Sequence, residues 1–377
     1  MKRNAHYRSL YTIPPDVSYL NTAYMAPQLK SVTAAGLETI PKKEHPWNIG
    51  ADDFFAPVEE LRKEASQLFA CAPDDVAIVP SVSYGVGVAA HNLPARNGGE
   101  ILLLAEQFPS NVYPWQARAK ATGEEVVFVE RGTEGWTAAL MTAITTKTTV
   151  VAIPGCHWTD GAAVDLETIS TAARKVGASL VLDLTQSLGA VPFSVKTVDP
   201  DFVVSAGYKW LLGPYSLGYM YVAPRHQNGT PLENNWITRE DSHQFAGLVD
   251  YRDRYEPGAR RYDIGERSNF FLLPMALEAL RQLNEWGVES ISREIQQRTH
   301  SLIEGAQERG WIAPLPRDRS PHMVGIRKPG GLPDNVLQSF REHGVHVSVR
   351  GDSVRVSPHL HNTDEDLIRF FQALDKI

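Results

Sequence analysis

An α/β protein built on a mostly parallel sheet is predicted by three features of this 377-residue sequence. Its apolar segments are short continuous runs rather than alternating ones, which implies strands buried on both faces. Helix-patterned segments separate them, as the crossovers of a parallel sheet require. The runs also end in polar residues capable of chemistry, and in open α/β sheets ligands sit beyond the carboxyl ends of strands.

Taken in order, Val76-Ala77-Ile78-Val79-Pro80 reads as a strand, and Ser81-Val82-Ser83-Tyr84-Gly85-Val86-Gly87-Val88 begins a helix. Strands follow at Glu100–Leu104, Glu125–Val129 and Thr149–Ile153. The stretch Asp165–Lys175 is helical, with Gly177 placed to cap its carboxyl end. Ser179-Leu180-Val181-Leu182 runs into Asp183, Asp201–Tyr208 runs into Lys209, and Gly218–Val222 closes the series. From Arg225 the texture changes: residues 225–265 are polar and loop-rich, with Arg, Tyr and Asp interleaved. Helices are expected over Pro274–Trp286 and Val288–Arg309, short strands at Met323–Ile326 and Val345–Val349, and a last helix over Asp364–Leu374. The expected division is an N-terminal segment, 1–15, packing on the small domain, a large domain, 16–284, and a small α+β domain, 285–377. Neither a repeat nor a low-complexity tract interrupts it.

Composition narrows the function classes. A formal charge of −7 supplies no basic footprint for nucleic acid or an anionic membrane. Two cysteines, Cys71 and Cys156, make no disulfide framework and fit a reducing cytoplasm. No apolar h-region follows the basic start, and no apolar stretch has the length of a membrane span. A cytoplasmic protein without nucleic-acid or membrane partners is expected, and no metal ligands are assigned.

The most informative residue is Lys209, which follows Asp201-Phe202-Val203-Val204-Ser205-Ala206-Gly207-Tyr208 and leads into Trp210-Leu211-Leu212-Gly213-Pro214. An ammonium at the exit of a buried strand loses hydration unless it is paired or chemically used. Asp183 ends the preceding apolar run, where an unpaired carboxylate is equally costly, and Gln186 lies three residues on. This set suits pyridoxal 5′-phosphate: lysine forms the imine, the carboxylate keeps the pyridine nitrogen protonated, and the amide of Gln186 donates to the phenolic oxygen. The start of the helix after Pro80, with Ser83 and Tyr84 in its first turn, offers amides and hydroxyls to the phosphate.

Leu182-Asp183-Leu184-Thr185-Gln186-Ser187-Leu188-Gly189-Ala190 and Tyr208-Lys209-Trp210 resemble motifs of the class-V aminotransferase family of fold-type-I pyridoxal-phosphate enzymes. That family includes kynureninase, cysteine desulfurases and isopenicillin N epimerase, and the resemblance runs from Tyr19-Leu20-Asn21-Thr22-Ala23 to the last helix. It implies a large domain with a mostly parallel, seven-stranded sheet, a smaller C-terminal domain, and a homodimer with shared active sites. It makes Lys209 the Schiff-base lysine and matches Ser83 to a phosphate-loop threonine, with Ser205 or Tyr208 as a further phosphate contact. Glu106-Gln107-Phe108-Pro109-Ser110 resembles the kynureninase stretch in which a phenylalanine covers the ring, so Phe108 is expected to stack there. Ser353-Val354-Arg355-Val356-Ser357 matches the segment that binds the substrate carboxylate; Arg350 competes for that role, and the resemblance selects Arg355. Gly265-Glu266-Arg267-Ser268-Asn269 corresponds to the segment reaching the partner subunit's phosphate, which makes Ser268 a cofactor-site candidate. Asp160, in His157-Trp158-Thr159-Asp160-Gly161, is either substrate-facing or structural.

Desulfurases carry a nucleophilic cysteine shortly before that arginine; His343–Asp352 has none, which argues against persulfide chemistry. The expected activity is therefore transamination or Cβ-bond cleavage of an amino acid, a small-molecule substrate. The alternatives are epimerisation, C–S lysis, or cofactor binding without catalysis. A nicotinamide dehydrogenase lacks its G-x-G-x-x-G fingerprint here.

Overall fold

The computed structural model describes residues 2–377. Its strands in chain order are β1 (Ser18–Tyr19), β2 (Val76–Val79), β3 (Glu100–Leu104), β4 (Glu125–Val129), β5 (Thr148–Pro154), β6 (Ser179–Asp183), β7 (Phe202–Ala206) and β8 (Gly218–Val222). Beyond the loop-rich stretch lie β9 (Val324–Ile326), β10 (Val345–His346), β11 (Ser348–Arg350) and β12 (Ser353–Val356). Seven of these form one sheet in the order β2-β8-β7-β6-β5-β3-β4. It is parallel except for β8, which runs antiparallel to both β2 and β7. The expected mostly parallel α/β architecture is thus present.

Continuous apolar runs become strands here because both faces of the sheet are covered. Val203 and Leu182 enter one core and Phe202, Val204 and Val181 the other. Asp183 shares the face of Val181, and Ala206 that of Val204, so both point toward the helix Val82–Asn92. That helix lies close to the sheet because Gly85 has no side chain; a Cβ there would stand 2.8 Å from Val204 Cγ1. Ser81 caps it by accepting from the Tyr84 amide at 3.2 Å. The helix Leu166–Val176 ends, as expected, at Gly177 in the left-handed conformation.

Strand order locates the site. The chain passes from β3 outward to β4, then returns to place β5 on the other side of β3 and continues through β6 and β7. The switch between β3 and β5 is the crevice where ligands bind in such sheets. The loops leaving β3, β5, β6 and β7 carry Phe108, Trp158, Gln186 and Lys209.

A third core gathers Leu302, Ile303, Phe340, Val354 and Phe370, and includes Leu20 from the N-terminal side. The helix Val288–Glu308 links the cores, with Ile291 and Ile295 in the large one and Leu302 and Ile303 in the small one. β12 lies between β9 and β11, antiparallel to both. The stretch expected as one strand over Val345–Val349 is split at Val347, because β10 pairs in parallel with β1 whereas β11 pairs with β12. Near the N-terminus, the Tyr7 ring meets Trp286 edge-on at 5.5 Å and Arg8 pairs with Asp366 at 3.1 Å.

A buried ion cluster ties the outer helix to the sheet. Arg62, fully buried on the helix Asp52–Phe69, pairs with Asp263 at 2.7 Å; Arg267 reaches the same carboxylate at 2.5 Å, and Asp263 also accepts from the Ile78 amide of β2 at 2.7 Å. Removing Asp263 leaves the buried Arg267 without an ion pair among the described residues and Arg62 with Glu59 as its remaining carboxylate. Asp263→Ala is expected to cost about 3–5 kcal/mol, read as a lowered urea midpoint at unchanged slope; a midpoint equal to wild type would refute the role of this cluster.

Candidate active site

Beyond the carboxyl ends of the strands lies a cavity of about 320 Å³ lined by Ser81, Ser83, Phe108, Asp183, Gln186, Tyr208 and Lys209, among others. A second cavity shares Phe108, Trp158, Gln186, Tyr208, Lys209 and Tyr215 with it and extends the space to Tyr24, Arg350 and Arg355. The two form one cleft with Lys209 at the junction.

Lys209 is 7% exposed and has no ion pair or side-chain hydrogen bond among the described residues. Its ammonium stands 5.5 Å from the centroid of the Phe108 ring and 5.6 Å from that of Tyr208. Burial lowers its pKa to about 8; the Arg355 charge adds to the shift, and Asp183 opposes it. Asp183 is buried at the other side, accepting from the Thr185 amide at 3.0 Å. Burial raises its pKa, against the opposing hydrogen bonds from Thr185 and the charge of Lys209.

Gln186 is held from both ends. Its Nε2 donates to the Ala23 carbonyl at 3.0 Å, and its Oε1 accepts from Trp210 Nε1 at 3.1 Å. One N–H of the amide therefore remains for a ligand. The Thr185 hydroxyl accepts from the Ala206 amide at 3.2 Å, locking the exits of β6 and β7 together.

At one end of the cleft the helix Val82–Asn92 presents its first turn, whose amides have no intrahelical acceptors. Ser83 lines this end, its hydroxyl 3.0 Å from that of Ser81. At the opposite end Arg355, 1% exposed, donates from Nη1 to the Trp158 carbonyl at 2.6 Å, while its Nε has no partner. Burial lowers its pKa to about 9, and the Arg350 charge adds to the shift. Phe108 hangs over the cleft, edge-on to Trp158 at 5.4 Å.

Three of the expected residues do not line the cleft. Ser205 shares the opposite sheet face with Val203, and its hydroxyl makes only a 3.4 Å contact to the Ala206 carbonyl. Of the two open hydroxyls, Tyr208 alone faces the cleft. Tyr84 turns into the core beside the sheet; what it offers the helix end is its amide, taken by Ser81. Ser268 donates to the Phe54 carbonyl at 2.5 Å, away from this cleft. Asp160 pairs with Arg131 at 2.6 Å and accepts from the Ala162 amide at 3.0 Å, so its carboxylate is structurally engaged. His157 is likewise taken, between Thr159 and the Ala105 carbonyl, and burial lowers its pKa. Cys156 does line the cleft, but burial pushes its thiol up to about 12.

Sequence reasoning gave no role to Trp158, Tyr24 or Tyr215, all on the cleft wall. Trp158 was visible within its motif, where a large aromatic just past a strand exit is itself a signal; Tyr24 carried none, since it reaches the cleft only through long-range pairing.

A family model described as aminotransferase class-V matches residues 50–370. The chain belongs to that family, and it is a pyridoxal-phosphate-dependent enzyme. It is 28% identical to a Bacillus subtilis (strain 168) protein described as the uncharacterized aminotransferase YcbU, over 85% of this chain and 82% of that one. Isopenicillin N epimerase of Streptomyces clavuligerus is 24% identical over 84% of each chain. The apo structure of cysteine desulfurase from Thermococcus onnurineus NA1 superimposes with a TM-score of 0.86 at 21% identity, covering 100% of this chain and 98% of that one.

The cleft fits the cofactor. It offers a buried amine without an ion pair, a buried carboxylate bonded by its own turn, and a helix N-terminus at the far end. No ring of three or more His, Cys, Asp or Glu side chains suited to a metal occurs among the described residues. Nor does any described helix have the length and apolarity to cross a membrane.

Proposed function

We propose that this protein transaminates a small amino acid, with Lys209 moving the substrate's α-proton. The observation that carries the reading is the position of Lys209 where the two cavities meet, between Asp183 on one side and Arg355 on the other. When bound, pyridoxal phosphate supplies an electron sink for the charge left on the α-carbon. Asp183 would hold a positive charge at the ring nitrogen, and the free N–H of Gln186 would serve the phenolic oxygen. Ser83, the Val82–Asn92 helix end and Tyr208 would hold the phosphate. Phe108 would cover the ring face and Arg355 would take the α-carboxylate, while Lys209, neutral above about pH 8, would accept the α-proton and return it.

A second reading, Cβ-bond cleavage, draws support from two phenols on the cleft wall, Tyr24 and Tyr215, which can protonate a departing group. Persulfide transfer is disfavoured by the high pKa of Cys156 and by the absence of cysteine before Arg355. We further propose a cytoplasmic homodimer. An exposed aromatic group supports it: Trp236 and Phe245 around Phe54, whose carbonyl binds Ser268.

One single-turnover experiment separates the reactions. Given a reactive amino acid and no acceptor, a transaminase keeps the amino group, so the yellow band should bleach and return when a 2-oxo acid is added. A Cβ lyase or an epimerase keeps its colour. An unbleached band accompanied by product would replace transamination by the second reading.

A further inference from the structure

We infer that the cleft selects amino acids whose side chain ends in a second anion, a carboxylate or sulfinate, and that Arg350 binds that group. The inference rests on the proposed amino-acid chemistry at Lys209. The end of the cleft beyond the lysine is lined by three cationic side chains, Lys209, Arg350 and Arg355, and by no aspartate or glutamate. The α-carboxylate needs only one of the two arginines.

Their placement follows from strand register. Arg355 on β12 stands opposite Ser348 on β11, and Arg350 is two residues beyond Ser348. The two arginines therefore share one sheet face as diagonal neighbours, about 7–8 Å apart at the backbone. Each is poorly satisfied. Arg355 has a buried Nε without a partner. Arg350 makes no ion pair among the described residues; its Nη1 donates only to the Val349 carbonyl at 2.8 Å, and its guanidinium lies 5.6 Å from the Trp158 ring centroid. Asp352, two residues along the chain, pairs with Arg327 at 3.4 Å rather than with Arg350.

Neither guanidinium has an ion pair among the described residues, although Arg350 also borders the neighbouring cavity that holds Glu106, Glu130, Asp160 and Asp352; burial lowers the proton affinity of both, and the Arg350 charge lowers that of Arg355 further. A ligand with one carboxylate can pair with one guanidinium; a ligand with two can pair with both. The same arrangement rejects a basic side chain, because nothing at this end can pair with it.

The test compares kcat/KM for L-aspartate, L-glutamate and L-cysteine sulfinate with that for L-alanine and L-lysine. Wild type is expected to prefer the acidic set over L-alanine. Arg350→Gln should lower the acidic-to-alanine ratio by about 5-fold or more, as expected for losing a partly solvated charge pair. Arg350→Glu should shift preference toward L-lysine, and Arg350→Lys should restore part of the acidic preference, which a folding defect would not do. The yellow band of each variant reports an intact cofactor site. Equal loss on acidic and neutral substrates, an unchanged ratio, or a wild type indifferent to the side-chain anion would each overturn the inference. In those cases turnover of neutral amino acids leaves the proposed chemistry standing. If no amino acid perturbs the band at all, both fall together.

Discussion

Lys209→Ala is expected to lower turnover by at least about 10²–10⁴-fold, the contribution of a positioned acid–base group, while the protein remains folded. Truncation should be tolerated because the ammonium makes no ion pair and no hydrogen bond that the fold depends on. The loss should be chemical: the variant still binds cofactor through the helix end, yet borohydride no longer fixes it to the chain, and in wild type the fixed label maps to Lys209. The pH dependence follows from the same burial. With a pKa lowered to about 8, the reactive neutral amine fills in as pH rises through 8. Covalent capture of added cofactor should therefore climb up to that pH and level off, where an exposed lysine would keep climbing toward about 10.4. A label on another lysine, or capture still rising well above pH 9, would remove Lys209 from the assigned role.

Arg355→Ala is expected to weaken amino-acid binding by about 2–5 kcal/mol, with the cofactor absorbance retained. The guanidinium is 1% exposed and pinned by the Trp158 carbonyl, so its fork is oriented before any substrate arrives. Lysine should be a poor replacement, since a single ammonium cannot reproduce two parallel donors. Titration of the visible band with a non-reacting amino acid measures the effect directly. If wild type takes amines lacking a carboxylate equally well, Arg355 does not serve the α-carboxylate.

Much of this was readable in the sequence, and for a physical reason. A doubly covered parallel sheet writes its strands as unbroken apolar runs, so a charged residue at the end of one, such as Asp183 or Lys209, stands out against a background that excludes charge. Features that depend on partner choice were less accessible. Whether Ser205 or Tyr208 faces the cleft is decided by strand parity and by where β7 ends, and a shift of one residue reverses the answer. The engagement of Asp160 required knowing that Arg131, 29 residues earlier, folds back onto it. The division of Val345–Val349 into two strands reflects a change of partner at Val347, which no local pattern encodes.

The pairing of β1 with β10 bears on how the enzyme is made. Ser18 aligns with Val345, and close by the Ser348 hydroxyl donates to the Asn21 side chain, 327 residues apart in the chain. At roughly 5–20 residues per second on a ribosome, those partners emerge between about 15 and 65 s apart. Through that interval Leu20, destined for the small core, has nothing to cover it, and the backbone edge of β1 stays open to chance pairing. Ala23, whose carbonyl holds Gln186, follows directly on this strand, so the final setting of the cleft waits for the last part of the polypeptide. A nascent chain halted before β12 would already contain Lys209 and Asp183 but still lack Arg355. The order of synthesis thus delays substrate recognition until the two ends of the chain have met.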